Sequence, residues 1–535
     1  MAIRRYYANA DNTITNAYKE DFNTRGTGSN MGQADILEVF SLYAQRDSGS
    51  AELSRILIQF PISDMSSDRT AGTIPASGSV SFILNLYNAE HTRTLPRDFY
   101  LTVAGASGSW EEGNGLDMEN YSDITYGKIG SNWINRTGST GWATAGADYY
   151  TDSSSSFKQR FELGTENLEL DITTLVEQWI NSGGNVLGSK DNHGLIIKLS
   201  GSYEASSSTN LAGAAESYYT KKFFARSSEF FFDRPTLEAR WDSTRRDNRG
   251  NLYFSSSIVP PSENLNTLFL CNYIRGNLRD IAGNSAKVPT LQLYYSSGSV
   301  PESSARGFLN STDDAVTTLD ATRVSTGIYK AQFAVTSAAI TSTYPYLVDV
   351  WTYGDVEIHT GSAIIPLTYD FSNTSPNGSY VIAMPGLKES YSRGQTERFR
   401  LYVRNKNWSP NIYTKAKSTP ETLLIDSASF QIVRLSDHRI VVPFGTGSEN
   451  HTLLSYDKSG NYFDLDITLL ESGYSYGIKY SFYEDSLSSY REQPQMFKFK
   501  VDGNPHITIE ASENTGETSG DSGGSRGFGF TLRGG

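Results

Sequence analysis

The chain is 535 residues long, room for three or four domains at about 150 residues each. Its 46 Lys and Arg against 59 Asp and Glu leave a net charge of −13. That argues against nucleic acid as a partner, since such binding runs on displaced counterions. One cysteine, Cys271, excludes an internal disulfide and a cysteine-based zinc cluster.

Thirty-three tyrosines and 47 glycines, with abundant Ser and Thr, favour strands and turns over helices. No apolar segment of signal-peptide length follows Met1–Arg5, and no apolar run approaches the ~20 residues of a membrane span. The expectation is a chain made in a cytoplasm, with no membrane partner.

Alternation of period two dominates the first 243 residues. Residues 55–60 carry a continuous apolar run, as a central strand would. In 79–87, Val80, Phe82, Leu84 and Leu86 fall on one face, and Leu168, Leu170 and Ile172 alternate with polar neighbours. A helix follows: Thr174 and Glu177 fit a capping box, Leu175 and Trp179 share a face, and Gly183 and Gly184 can stop it. Residues 234–241 read as a last strand, and the polar, charge-mixed 242–250 as a linker.

Two further segments, 251–366 and 367–502, show strand candidates every 8–15 residues, which suits β-sandwiches. In the second segment these are 268–274, 290–295, 327–335 and 346–353; in the third, 398–404, 427–434, 439–442 and 474–483. Leu168–Thr173 is echoed by Phe463–Thr468, and chance or a shared way of ending a strand accounts for two copies. Residues 503–535 form a flexible Gly/Ser-rich tail whose composition cannot bury enough to fold alone. Its apolar tip, Phe528, Phe530 and Leu532, alternates like a strand that docks on a partner; a frayed end is the other reading.

Chemistry is sparse. Gly520–Gly524 reproduces the nucleophile pentapeptide of trypsin-like proteases. Its serine lies in the Gly/Ser tail, where nothing holds it against a base and an oxyanion hole. Histidines 91, 193, 359, 438, 451 and 506 have no metal-ligand spacing, and no phosphate-binding loop is present. Carboxylates cluster once: Glu111, Glu112, Asp117, Glu119 and Asp123 stand among glycines and asparagines. Oxygen-only ligands on a turning loop are what calcium accepts, although the EF-hand spacing is not met; a solvated acidic loop is the plainer reading. A hydrolase would draw Glu111 or Asp117 from the same set. Trp110, Trp133 and Trp142 lie nearby, as sugar-stacking platforms or as core residues with their indole N–H on loop carbonyls; the surrounding glycines favour the core.

A set of ordered motifs resembles the DNRLRE-like family of jelly-roll modules, which are related to carbohydrate-binding modules. It comprises residues 11–15, Asn30-Met31-Gly32 with 36–39, Arg55–Phe60, Trp110–Gly113 with Asn132-Trp133, Asp171–Thr173 with Trp179, 192–197, 223–226 and 234–237. The resemblance covers about 1–243 and implies a jelly roll, interrupted here by a long insertion at about 104–156 that puts sugar binding at the usual face in doubt. The whole chain is similar to structural proteins of large contractile-tailed marine or cyanobacterial phages, on Trp110–Gly115 with Asn132-Trp133, 247–254 with 264–268, 273–281 and 327–331.

The fold expected is all-β: a jelly-roll sandwich over 1–243, Ig-like sandwiches over 251–366 and 367–502, and the tail. The phage resemblance implies a non-enzymatic virion protein (neck or collar, tail or baseplate, or capsid decoration), located in the virion. It would have other virion proteins as partners, form a homo-oligomer, and carry no cofactor beyond the candidate calcium. The alternative is a carbohydrate-binding or adhesive surface protein that meets host-surface glycans through the jelly roll.

Overall fold

Apolar side chains at alternate positions give each strand one dry face, and the first 241 residues pair such faces into a two-sheet sandwich. The computed structural model describes residues 2–503 apart from 91–95, 117–129, 182–185, 257, 337–343, 369–378, 408–411, 413–421, 446–449 and 485–486; side chains of 303–306 are not described. The chain is all-β, a jelly roll followed by two Ig-like sandwiches. Among the described residues no helix is long and apolar enough to cross a membrane.

In chain order the first module consists of β1 (Ile3–Tyr7), β2 (Ala10–Thr15), β3 (Ile36–Tyr43), β4 (Ala51–Gln59), α1 (Ile62–Ala71), β5 (Ser81–Leu86) and β6 (Phe99–Gly105). Then come β7 (Ser156–Phe161), β8 (Leu168–Asp171), α2 (Thr173–Ile180), β9 (Leu195–Leu199), β10 (Tyr218–Phe224) and β11 (Thr236–Arg240). One sheet runs β1-β11-β5-β8; the other runs β10-β3-β4-β9-β6-β7, with β2 also on β4. The central place of β4 explains its unbroken apolar run: Ile56, Leu57 and Ile58 are all fully buried. Between the sheets lie Ile56, Ile58, Phe82, Leu84, Leu101, Phe161 and Phe223, and Leu175 and Trp179 of α2 join this core.

The helix α2 forms by other means than a capping box. Asp171 Oδ1 accepts from the Thr173 N–H (2.8 Å) and hydroxyl (2.6 Å), Thr174 donates to Ser154 O, and Glu177 turns away to pair with Arg69 of α1 (2.6 Å). The helix stops at Asn181, in the left-handed region at φ 45°, ahead of the predicted glycines. Gly32 is required for space, not for a positive φ: a Cβ there would sit 2.2 Å from Gly113 O.

The second module packs the sheet Asn266–Cys271 (β12), Ile328–Phe333 and Thr322–Ser325 against one led by Thr290–Ser296 and Tyr346–Tyr353. Leu268, Leu291, Tyr329, Phe333 and Trp351 fill it. The third packs Thr396–Asn405 and Gly460–Asp466 against Ala428–Arg434, Ser475–Glu484 and Phe497–Asp502. Phe430 stacks on Phe463 across its two sheets at 3.9 Å between centroids. The echoed sequence has a physical basis: Asp466 takes the Thr468 N–H (2.9 Å) and hydroxyl (2.6 Å) as Asp171 takes those of Thr173.

A candidate functional site where three modules meet

The predicted linker 242–250 is a joint instead. Its main chain pairs with the third module, Tyr456 N–H donating to Arg245 O (3.0 Å) and Asp247 N–H to Tyr456 O (3.1 Å). Its side chains cap the second module: Asn248 Oδ1 accepts from Thr267 N (2.8 Å), and Arg249 donates to Phe269 O (2.8 Å). Thr267 and Phe269 lie on β12, the edge of its sheet, so the joint covers part of that edge. Arg249 also pairs with Asp247 and with the fully buried Asp349, whose carboxylate in turn accepts from the Trp351 indole (2.7 Å).

The first and third modules share a shut seam. Ile3 and Phe232, from the jelly roll, belong to the third module's core. Around them Arg5 pairs with Glu238 (2.6 Å), Glu238 with Arg240 (2.8 Å), and Arg439 donates to Phe232 O (2.9 Å). Burial pushes the Glu238 carboxyl up, but Arg5 and Arg240 outweigh it and hold the group below its ordinary pKa. His451 is buried beside them; desolvation first, and the Arg240 charge second, press its pKa down to about 4.

Toward the second module a cleft of about 640 Å³ stays open. Its walls are the end of β12 with Cys271, Asn272 and Tyr273, the second module's Ile358 and His359, and the third module's Arg398, Asp457 and Tyr462; Arg245, Asp247 and Arg249 enter from the joint. Arg398 is held by Asp464 in two bonds (2.7 and 3.0 Å) and lies 4.2 Å over the Tyr462 ring. Cys271 is open to solvent, yet the surrounding walls desolvate its thiol enough to raise its pKa, and Arg245 is the largest charge opposing that rise.

The predicted site residues fall elsewhere. The insertion between β6 and β7 folds over the outer face of the larger sheet, where Trp133 and Trp142 join Ile14, Leu57, Ala106 and Ile196 in a small core. They are 6% and 8% exposed, so the sugar-stacking expectation is corrected: neither indole offers a face to a ring in solvent. Trp142 donates to Asn132 O (2.9 Å), and the half-buried Trp110 donates to His193 O (2.7 Å). What the insertion leaves uncovered is a wide basin of about 1270 Å³, floored by Arg55, Lys198 and Glu204 and walled by Tyr149 and an edge of Trp133. Glu204 joins Arg55 (3.0 Å) and Lys198 (2.9 Å) there.

Of the candidate calcium ligands, Glu111 and Glu112 part company. Glu111 accepts from Gly138 N (3.3 Å). Glu112 accepts two bonds from Arg226 (2.6 and 2.5 Å) and one from the Asp11 N–H (2.9 Å), so a guanidinium already neutralises it. Beside that pair, burial pushes the Asp11 carboxyl up to about 7. Asp117, Glu119 and Asp123, like the tail residues Phe528, Phe530 and Leu532, lie outside the described residues. Among the described residues no three His, Cys, Asp or Glu side chains are placed to hold a metal ion.

No protein-family model matches the chain, and no curated protein does. Among solved structures it is similar to native E. coli alpha-2-macroglobulin, at 10% identity over 88% of this chain and 20% of that one, TM-score 0.14. It is also similar to the Yersinia pseudotuberculosis adhesin InvE, at 12% identity over 49% of this chain and 64% of that one, TM-score 0.14. Titin domains z1z2 give 11% identity over 45% and 87%, TM-score 0.12. The chain thus spans a fifth of the macroglobulin and under two thirds of the adhesin. Likenesses at this level carry no functional argument.

Proposed function

We propose that this chain is a non-enzymatic structural subunit of a phage virion, in a neck or collar, a tail or baseplate, or a capsid decoration, where it assembles with other virion proteins. The observation that carries the reading is the joint. Residues 247–254 and 264–268, two of the segments behind the phage resemblance, supply the bonds that tie the second and third modules to the linker. A block of sandwiches tied to each other at shared cores and ion pairs suits a load-bearing part better than a string of independent binding modules. Particle proteins work as symmetric oligomers. Mass photometry of the full chain, alone and with candidate virion neighbours, should show a discrete ring-sized or trimeric species. A monodisperse monomer at high concentration that ignores those neighbours would sink the reading.

A second reading, a glycan-binding surface protein, is supported by one observation: the open basin beside Arg55, Tyr149 and Lys198. Binding on a glycan array that is lost with Tyr149→Ala at unchanged melting temperature would favour it.

A further inference from the structure

The cleft between the second and third modules holds a cation with no hydrogen-bonded carboxylate among the described residues, its charge opposed only at longer range by Asp464. Arg249 and Arg398 are committed to carboxylates, whereas the guanidinium of Arg245 has no hydrogen-bond or ion-pair partner among the described residues. It stands in an otherwise acidic protein, with Asn272, His359 and Ser362 offering further polar groups along the walls. A groove of this kind fits a slim, extended, acidic segment.

The chain supplies one. Residues 507–525 contain Glu510, Glu513, Glu517 and Asp521, no Lys or Arg, and otherwise mostly Ser, Thr and Gly. They start from the right place. Asp502 closes the last strand and its carbonyl accepts from the Arg393 N–H (3.3 Å). Arg398 follows Arg393 by five residues, at most about 17 Å along the strand, and seven residues from Gly503 to Glu510 reach about 24 Å. We propose that the acidic stretch 510–521 of this same chain is the occupant of the cleft between the second and third modules, held there by Arg245. A short tether gives an effective concentration in the millimolar range, so a screened Arg–carboxylate contact that would be weak between separate molecules suffices. The proposal stands apart from the virion reading, since a glycan-binding protein with this tail and cleft would hold it in the same way.

The protein carries its own reporter. Cys271 is the sole cysteine, is exposed, and lines this cleft. The test is the alkylation rate of Cys271 by iodoacetamide in the full chain at low ionic strength, measured across pH so that thiolate fraction is separated from access. Neutralising the tail (Glu510→Gln, Glu513→Gln, Glu517→Gln and Asp521→Asn together) should raise the pH-independent rate about threefold or more. The gap should close at about 1 M salt, where the Debye length is near 3 Å. Arg245→Glu should raise it too, and lysines at the four tail positions should restore slow reaction in that background. A tail-neutralised chain that reacts at the wild-type rate would overturn the proposal. So would protection that grows with protein concentration, because the occupant would then come from another copy. A melting temperature equal to that of the wild type shows that the tail changes leave the modules folded, so misfolding does not obscure the result.

Discussion

The third module meets its two neighbours in opposite ways. Toward the jelly roll the seam is shut: Ile3 and Phe232 cross into its core, and Glu238 is enclosed between Arg5 and Arg240. Toward the second module the seam is a cleft, bridged at its back by Asp247, Asn248 and Arg249 and open in front of Arg245. Both seams use arginine. In the first Arg5 and Glu238 are paired out of water, which makes that pair a structural element whose removal is costly. In the second one guanidinium is left half-exposed, which contributes little to folding and is available for recognition.

Glu238→Ala should expose that difference most strongly. Glu238 is 2% exposed, and its loss leaves Arg5 buried without a carboxylate and Arg240 with only the more exposed Glu169. Breaking such a buried pair by removing one partner costs roughly 3–5 kcal/mol. Urea unfolding would measure it; a loss under about 1 kcal/mol would mean that water enters the seam and solvates both arginines.

Trp179→Ala sets the scale for damage inside one module. The side chain is buried against the jelly-roll core, so truncation should cost about 3–5 kcal/mol. A smaller change than that from Glu238→Ala would say that the shut seam is as integral to the fold as a module's own core. A value under about 1 kcal/mol would mean that the site collapses around the gap.

Acid should loosen the shut seam. His451 faces Arg5, Glu238 and Arg240, and the void beside it is also lined by Arg245 and Asp464. Its folded pKa, about 4, lies below the ~6.5 of an unfolded chain, so the folded state binds fewer protons in between. The stability it contributes is full above about pH 6.5 and is lost as pH falls toward 4. The loss is on the order of 3 kcal/mol by the bottom of that window. Asp11, with its carboxyl raised to about 7, works in the opposite sense as pH falls from 7, so the wild-type curve alone does not isolate the histidine. The difference between wild type and His451→Gln, followed by melting temperature from pH 7 to 4, does. Parallel curves would show that His451 takes up its proton at an ordinary pKa.

The sequence revealed what alternation controls. The strands of the second and third modules fall where period-two patterning places them, as with Tyr346–Tyr353, and Trp179 points inward as its spacing from Leu175 requires. It concealed whatever depends on distant partners. The helix α1 buries only Met65, with Ile62 packed partly beside it, so it has no apolar stripe to read. The capping box failed because Glu177 found Arg69, more than 100 residues away. The stretch 242–250 is polar because its side chains bond to two other modules, and composition alone cannot separate such a joint from a spacer. The cleft was illegible for the same reason: Arg245, Tyr273, His359, Arg398 and Tyr462 are brought together only by the docking of the second and third modules on the joint.

The smallest expected effect is the most discriminating. Arg245 has no described partner to lose, so Arg245→Ala should change unfolding free energy by no more than about 0.5 kcal/mol, the range of surface substitutions. The main-chain bond through its carbonyl to Tyr456 N is untouched by the change. If the residue were structural, as Arg5 is, the same truncation would cost several kcal/mol and the two seams would not differ in kind. A near-zero stability change together with faster Cys271 alkylation would separate the roles. It would show one arginine set aside for a ligand beside two others, Arg249 and Arg398, that are paired with acids.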